Sequence, residues 1–325
     1  MLSRRDKQSR AVIEAAISQI ASDNTSGAAE ILRRAGAVFT LLNTPSSGLG
    51  ADNSELAQQV VIQTCIALAL AQPDMSALLR LASAALSAAR IATGARESLE
   101  AAQEAALNFI GDAERGARSA ALHGAALIRD GAAVLTHSRS STVLAAFLEA
   151  KRRGRDFSVV ATESRPMLEG RIFAKAIASQ DIRVTLIADA AASLAMEQVD
   201  LVMVGADKIT PVNLVNKIGT QMIALAARER GLPVYALCDT SKFIREDYFG
   251  PGIRDLGGAN ELWLEAPRGV AVVNRCFEPT PLAFFTGIVT EDGALSIKEV
   301  ARRAEQASID KELVNAFGVL CDGIK

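Results

Sequence analysis

From residue 132 to residue 239, short runs of β-branched and apolar residues alternate with stretches of helical periodicity. No other feature of the sequence constrains the fold as tightly. AAVLTH, FSVVATE, RVTLIAD, VDLVMVGAD and LPVYALCD read as strands. STVLAAFLEAKRRG, MLEGRIFAKAIASQ, AAASLAMEQ and VNKIGTQMIALAARERG read as the helices between them. The strand runs are almost continuously apolar, as in a parallel sheet covered on both faces. Upstream the rhythm is helical only: stretches 10 to 21, 27 to 42, 54 to 72, 75 to 92 and 96 to 128 carry apolar residues at three-and-four spacing. Asp74 reads as the N-cap of the fourth, residues 24 to 26 separate the first two, and TPSSGLGADNS at 44 to 54 is the clearest break. The expected fold is α/β. An N-terminal all-helical domain, residues 1–125, precedes a Rossmann-like, doubly wound, mostly parallel sheet domain, residues 126–325, with a helical extension from 297.

Composition excludes several classes. A formal net charge of -2 over 325 residues gives no basic face for nucleic acid, and the densest basic knot, KRRGR at 151 to 155, reads as a solvated helix end. Aromatics are only 4% of the chain, too few for a base-stacking platform. Charges and turn residues break the apolar runs before the roughly 20 residues of a span, so no membrane segment is expected. MLSRRDKQSR lacks the apolar stretch of a secretory signal. Cys65, Cys238, Cys276 and Cys321 form no CxxC pair, and His123 and His137 are the only histidines, so no metal site is expected. A reducing cytoplasm is the expected location. GxGxxG after a strand, GxxxxGK[ST] and GxSxG are all absent, and no cofactor is expected.

In open α/β sheets, ligands bind beyond the carboxyl ends of the strands. Those ends here are Thr136 to Ser141, Thr162 to Arg165, Asp189, Gly205 to Lys208 and Asp239 to Lys242. The rim is polar although the strands are not, which points to a small, polar, phosphorylated ligand. Ser140 and Ser141 open a helix whose amides and dipole favour an anion. Either serine equally reads as a plain N-cap, and the two roles are compatible. Asp189 reads first as the cap of the next helix. Asp207 ends a very apolar strand, where burial raises a carboxyl toward an acid/base range; its alternative is a structural salt bridge. Lys208, Lys217 and Lys242 supply positive charge.

VVATESRPMLEGRIFAKAI, LIADAA, VGADKI, VNKIGTQMIALAA, TSKF and FEPTPLAFFTGIVTEDG, in that order over about 130 to 295, resemble one superfamily. It comprises translation initiation factor 2B alpha, beta and delta subunits, methylthioribose-1-phosphate isomerase and ribose-1,5-bisphosphate isomerase. The resemblance implies a sugar-phosphate site without metal or redox cofactor, and a homodimer or higher homo-oligomer paired through the sheet domain, with ELWLEA and GVAVV as candidate interface strands. It also implies roles by position. The catalytic cysteine of the isomerases corresponds to Ser138, and the partner acid to Asp207. Asn216 and Lys217, with Lys242, would contact phosphate and sugar, and Ser140, Ser141 and Thr142 would line a phosphate.

The departures point the other way. A serine hydroxyl at 138 is hardly ionised near neutral pH, unlike a thiol. His137, one residue earlier, would face the opposite side of a continued strand. The family's Arg-Gly-Ala corresponds to Ser26-Gly27-Ala28, which keeps Gly27 and Ala28 as phosphate-site residues without the arginine. Its Arg-Pro-Thr corresponds to Thr44-Pro45-Ser46, so two bidentate phosphate ligands are missing. Two readings follow: an aldose–ketose isomerase of a phosphorylated pentose with altered or lost activity, or a non-catalytic, factor 2B-like assembly protein. On the first, Ser138→Cys is expected to raise activity.

Overall fold

A computed structural model describes residues 4–23, 26–44, 53–248 and 258–315. The chain divides into two compact units: Met1–Glu114 with Asp247–Gly250 and Ala307–Lys325, and Arg115–Glu246 with Pro251–Gln306.

The first unit is helical: α1 (Arg4–Ala21), α2 (Ala28–Leu42), α3 (Ser54–Ala71), α4 (Ser76–Ile91) and the start of α5 (Ala95–Leu127). Its core is filled by Ile31, Phe39 and Leu42 of α2, Val61, Cys65 and Leu68 of α3, and Leu78, Leu81 and Leu86 of α4. Alanines on the same faces, Ala35, Ala57, Ala82 and Ala85, are buried too and let the helices pack closely. Asn53 caps α3 by accepting from the Leu56 amide at 3.0 Å. The expected cap of α4 is corrected: Met75 occupies that position without a side-chain cap bond, while Asp74 is buried beside it. By length and composition alone, α3 is apolar enough to cross a membrane. Its buried face packs on α1 and α4, as in the core helix of a helical bundle. After residue 306 the chain returns to this unit. Arg90 of α4 binds Asp310 at 2.7 Å, and the Asp310 amide donates to Ser83 Oγ at 2.8 Å.

In chain order, the second unit continues with β1 (Ala133–Thr136), α6 (Ser141–Arg152), β2 (Ser158–Thr162), α7 (Glu169–Ala178), β3 (Arg183–Ile187), α8 (Ala192–Ala195) and β4 (Leu201–Val204). Then come β5 (Lys208–Ile209), β6 (Asn213–Lys217), α9 (Thr220–Glu229), β7 (Val234–Leu237), α10 (Ala259–Leu262), β8 (Phe277–Pro281), β9 (Gly287–Thr290), β10 (Gly293–Leu295) and α11 (Ile297–Glu305). The main sheet has the order β10-β9-β7-β4-β1-β2-β3, parallel except for β10. Strand order reverses between β1 and β4, which makes their carboxyl ends the crevice of a doubly wound sheet. β4 is buried at every residue, as its apolar run requires, while the edge strand β3 is buried at none. Phe147 of α6 packs against Phe157 and Phe173, with ring centroids 5.9 and 6.4 Å apart, and anchors α6 and α7 on the sheet. Truncating such a ring to alanine typically costs about 3–5 kcal/mol.

β5, β6 and β8 form a separate antiparallel sheet. Here the sequence reading is corrected: VNK belongs to β6, and the helix begins only at Thr220. The run NLVNK is stabilised by pairing with Phe277–Pro281, a partner far away in sequence. The strands expected at ELWLEA and GVAVV are also absent, since α10 takes the start of the first and no strand forms at 269–273. Pro267 and Arg268 separate the two runs, and Pro267 with Gly269 favours a turn.

Candidate functional site at the β1–β4 switch point

β1 ends at Thr136, and the chain leaves the sheet through Ser138, held at φ 65°. This left-handed conformation is unusual for serine and needs local support. The Ser138 amide donates to Ser164 Oγ at 2.8 Å. Ser164 (φ 61°) closes β2, and its own amide and that of Arg165 donate to the two oxygens of Asp189 at 2.8 and 2.7 Å. Asp189 therefore serves the β2 loop instead of capping the next helix, which corrects that expectation.

His137 adds a second tie. Its Nε2 lies 2.8 Å from the Ile218 carbonyl, which can only accept, so Nε2 carries the proton. Nδ1, 2.6 Å from Thr162 Oγ1, accepts from that hydroxyl. Burial holds the imidazole pKa below its ordinary value, despite the opposing backbone hydrogen bond to Ile218. Gly219 follows at φ 102°; a Cβ there would sit 3.1 Å from His137 Nε2. The neutral ring thus locks the end of β1 to β2 and to the β6–α9 junction.

The same turn brings in Glu169, the first residue of α7. The Ser138 hydroxyl donates to Glu169 Oε1 at 3.2 Å, and Lys217 Nζ reaches the same oxygen at 2.7 Å. The pair is largely out of water, with Lys217 5% and Glu169 14% exposed. Lys217 also lies 4.8 Å from the centroid of the Phe277 ring. Glu169 Oε2 is buried with no hydrogen-bond partner among the described residues. Gly170 makes this placement possible, because a Cβ there would fall 1.9 Å from the Thr162 carbonyl oxygen.

Ser140 caps α6, accepting from the Val143 amide at 3.3 Å. Ser141 and Thr142 form the first turn, whose amides have no acceptor within the helix. A Cβ on Gly205 would meet Ser140 Cβ at 2.9 Å and Asn216 Oδ1 at 4.0 Å, so the ends of β1, β4 and β6 converge. Asn216 is buried and donates to Thr220 Oγ1 at 3.0 Å. The N-terminus of α9 is occupied from within: Glu278 Oε1 accepts the amides of Gly219 and Gln221, both at 2.8 Å.

Among the residues singled out in the sequence, Ser138 and Lys217 meet on Glu169, while Ser140 and Asn216 flank Gly205. Asp207 follows β4, half-buried, with its amide donating to the Val215 carbonyl at 2.9 Å. Lys242 is buried in a short turn after β7 that Asp239 caps. Gly27 precedes and Ala28 opens α2, in the helical unit. Thr44 is described, whereas Asn24, Thr25, Pro45 and Ser46 lie outside the described residues. Glu169 and Glu278 escaped the sequence reading. MLEGR reads as plain helix, and Glu278 sits 59 residues from Gly219. Gly170 directly after Glu169 was the one local signal of a close approach.

The Initiation factor 2 subunit family matches residues 24–297. Ribose 1,5-bisphosphate isomerase of Archaeoglobus fulgidus is 38% identical over 198 residues, 58% of this chain and 62% of that protein. A putative translation initiation factor eIF-2B subunit 2-like protein of Pyrococcus furiosus is 37% identical over 191 residues, 58% of this chain and 66% of that protein. The match to the 5-deoxyribose 1-phosphate isomerase of Moorella thermoacetica, 38% identical, covers 53% of this chain and 54% of that protein. These matches span less than two thirds of each relative's length. The crystal structure of translation initiation factor eIF-2B from Pyrococcus horikoshii superposes with a TM-score of 0.75 at 28% identity, covering 91% of this chain and 98% of that one. The 5-methylthioribose 1-phosphate isomerase of the same organism, at 23% identity and a TM-score of 0.69, shares the fold. The chain belongs to the Initiation factor 2 subunit family.

Proposed function

We propose that this chain binds a phosphorylated pentose and is built on the plan of an aldose–ketose isomerase in which Ser138 stands at the position of the catalytic thiol. One observation carries the reading: at the switch point, just before the α6 N-terminus, the Ser138 hydroxyl and the buried Lys217 ammonium share one oxygen of the half-buried Glu169 carboxylate. The α6 N-terminus at Ser140, Ser141 and Thr142 receives the phosphate. Asn216, Lys217 and Lys242 orient the sugar, and Asp207 moves the proton between neighbouring sugar carbons. Neither metal nor cofactor takes part. The protein works in the cytoplasm as a homodimer or higher homo-oligomer.

The experiment is a thermal-shift screen against phosphorylated pentoses and nucleotides, followed by exchange of solvent deuterium into each ligand that binds. Binding with exchange supports the isomerase, and Asp207→Asn must then abolish the exchange. Stabilisation by no compound overturns the reading. The second reading, a non-catalytic assembly protein like initiation factor subunits, is favoured by the hydroxyl at 138, which is a poor resting base. It predicts binding without exchange, or no binding at all.

A further inference from the structure

Two positive features near Ser138 are already answered by the chain's own carboxylates. Lys217, which shares the Glu169 oxygen with the Ser138 hydroxyl, gives its charge to Glu169 at 2.7 Å. The amides that open α9 are taken by Glu278. The α6 N-terminus differs: its cap is the neutral Ser140 hydroxyl on the Val143 amide, and no carboxylate of the described residues takes the amides of Ser141 and Thr142. The charge balance is therefore uneven across the site. An anionic group brought to the Ser138 hydroxyl would meet a carboxylate oxygen 3.2 Å beyond that hydroxyl, and because Lys217 offsets its charge only in part, the two like charges repel in this poorly solvated site. A sugar hydroxyl meets the opposite situation. It can donate toward Glu169, whose Oε2 has no partner among the described residues, and accept from Lys217 or Ser138. Leaving a buried carboxylate oxygen unmatched is costly, and a hydroxyl donor would relieve it.

We propose that Glu169 is a specificity-determining residue: it admits the hydroxyl-bearing end of a pentose against Ser138 and Lys217 and turns away a second phosphate. The ligand is then a pentose monophosphate, held by its one phosphate at α6, and not a bisphosphate. The proposal rests on the sugar-phosphate reading above and names what that site selects.

The test is calorimetric titration of the full chain with ribose 1-phosphate, ribose 5-phosphate and ribose 1,5-bisphosphate. One of the monophosphates is expected to bind at least about ten-fold tighter than the bisphosphate. Glu169→Gln removes the repelling charge, so it should tighten the bisphosphate about ten-fold and change the monophosphate less than about three-fold. Wild-type protein that binds the bisphosphate as tightly as either monophosphate overturns the proposal and leaves the sugar-phosphate reading standing. Binding of none of the three overturns that reading and the proposal with it. An unchanged preference in folded Glu169→Gln also overturns the proposal. If that variant loses its cooperative unfolding transition, the wild-type preference alone decides.

Discussion

The Ser138 hydroxyl lies 3.2 Å from Glu169 Oε1, so the residue proposed to stand in the place of a thiol faces a carboxylate. A thiolate placed there would be opposed by that charge, with Lys217 on the same oxygen only partly offsetting it. Ser138→Cys alone is therefore expected to give no gain in isomerase activity, against the expectation from sequence. Ser138→Cys combined with Glu169→Gln should give one. The pH dependence of iodoacetamide alkylation reads the cause directly, since the introduced thiol should ionise at lower pH in the double variant. Equal profiles in the two would refute the argument.

Lys217 and Glu169 should also be coupled in stability. Removing one partner of a buried pair leaves an uncompensated charge and typically costs about 3–5 kcal/mol. Lys217→Met is expected in that range by urea unfolding. Lys217→Met with Glu169→Gln should cost clearly less than the sum of the single changes. Strict additivity would show that the pair does not interact energetically.

Gly170→Ala tests the backbone approach that delivers Glu169. The new methyl would overlap the Thr162 carbonyl, and both atoms are fixed by secondary structure. A loss of about 3 kcal/mol is expected, at the upper end of overpacking effects. A change within about 0.5 kcal/mol, the range of neutral surface substitutions, would mean that the turn relaxes freely.

His137 makes stability depend on pH in one direction. Its folded-state pKa is depressed, chiefly by burial, while in the unfolded chain it is near the ordinary 6.5. Above that value the ring is neutral in both states. As pH falls below it, the unfolded chain takes up a proton that the folded ring refuses, and stability declines toward the folded-state pKa. His137→Gln should lower stability at pH 7.5 yet flatten its slope between about pH 6.5 and 5. An unchanged slope in this variant would contradict a buried, neutral ring.

The thiols of Cys65 and Cys238 are pushed up from their ordinary range, mainly by burial, and Cys276 is buried as well. None of the three should react with a maleimide in the folded protein at neutral pH, and all three should react in urea. Fast labelling of any of them without denaturant would refute their placement.

Much of the fold was legible because burial leaves a direct trace in the chain. β4 is apolar throughout, since both its faces are covered, and the order of strands and helices fixes the switch point. β6 was misread because NLVNK abuts a helix and its partner strand lies some sixty residues on. Ser138 and Lys217 were visible as strand-end residues. Glu169 was not, because only the fold of the Thr162–Leu168 turn carries a helix-surface residue back to the rim. Position 189 shows the same limit: an aspartate before a helix signals a cap, yet its carboxylate serves amides 24 and 25 residues earlier.

Glu278 at the start of α9 has a consequence for how the protein meets the salt around it. The chain carries a tethered counter-ion of its own, held by two amides at 2.8 Å. Chloride, sulfate and free phosphate find that end of α9 already neutralised at every ionic strength. Under the proposed reading the ligand's anion goes to α6, and salt that competes for α6 finds no second foothold at the start of α9.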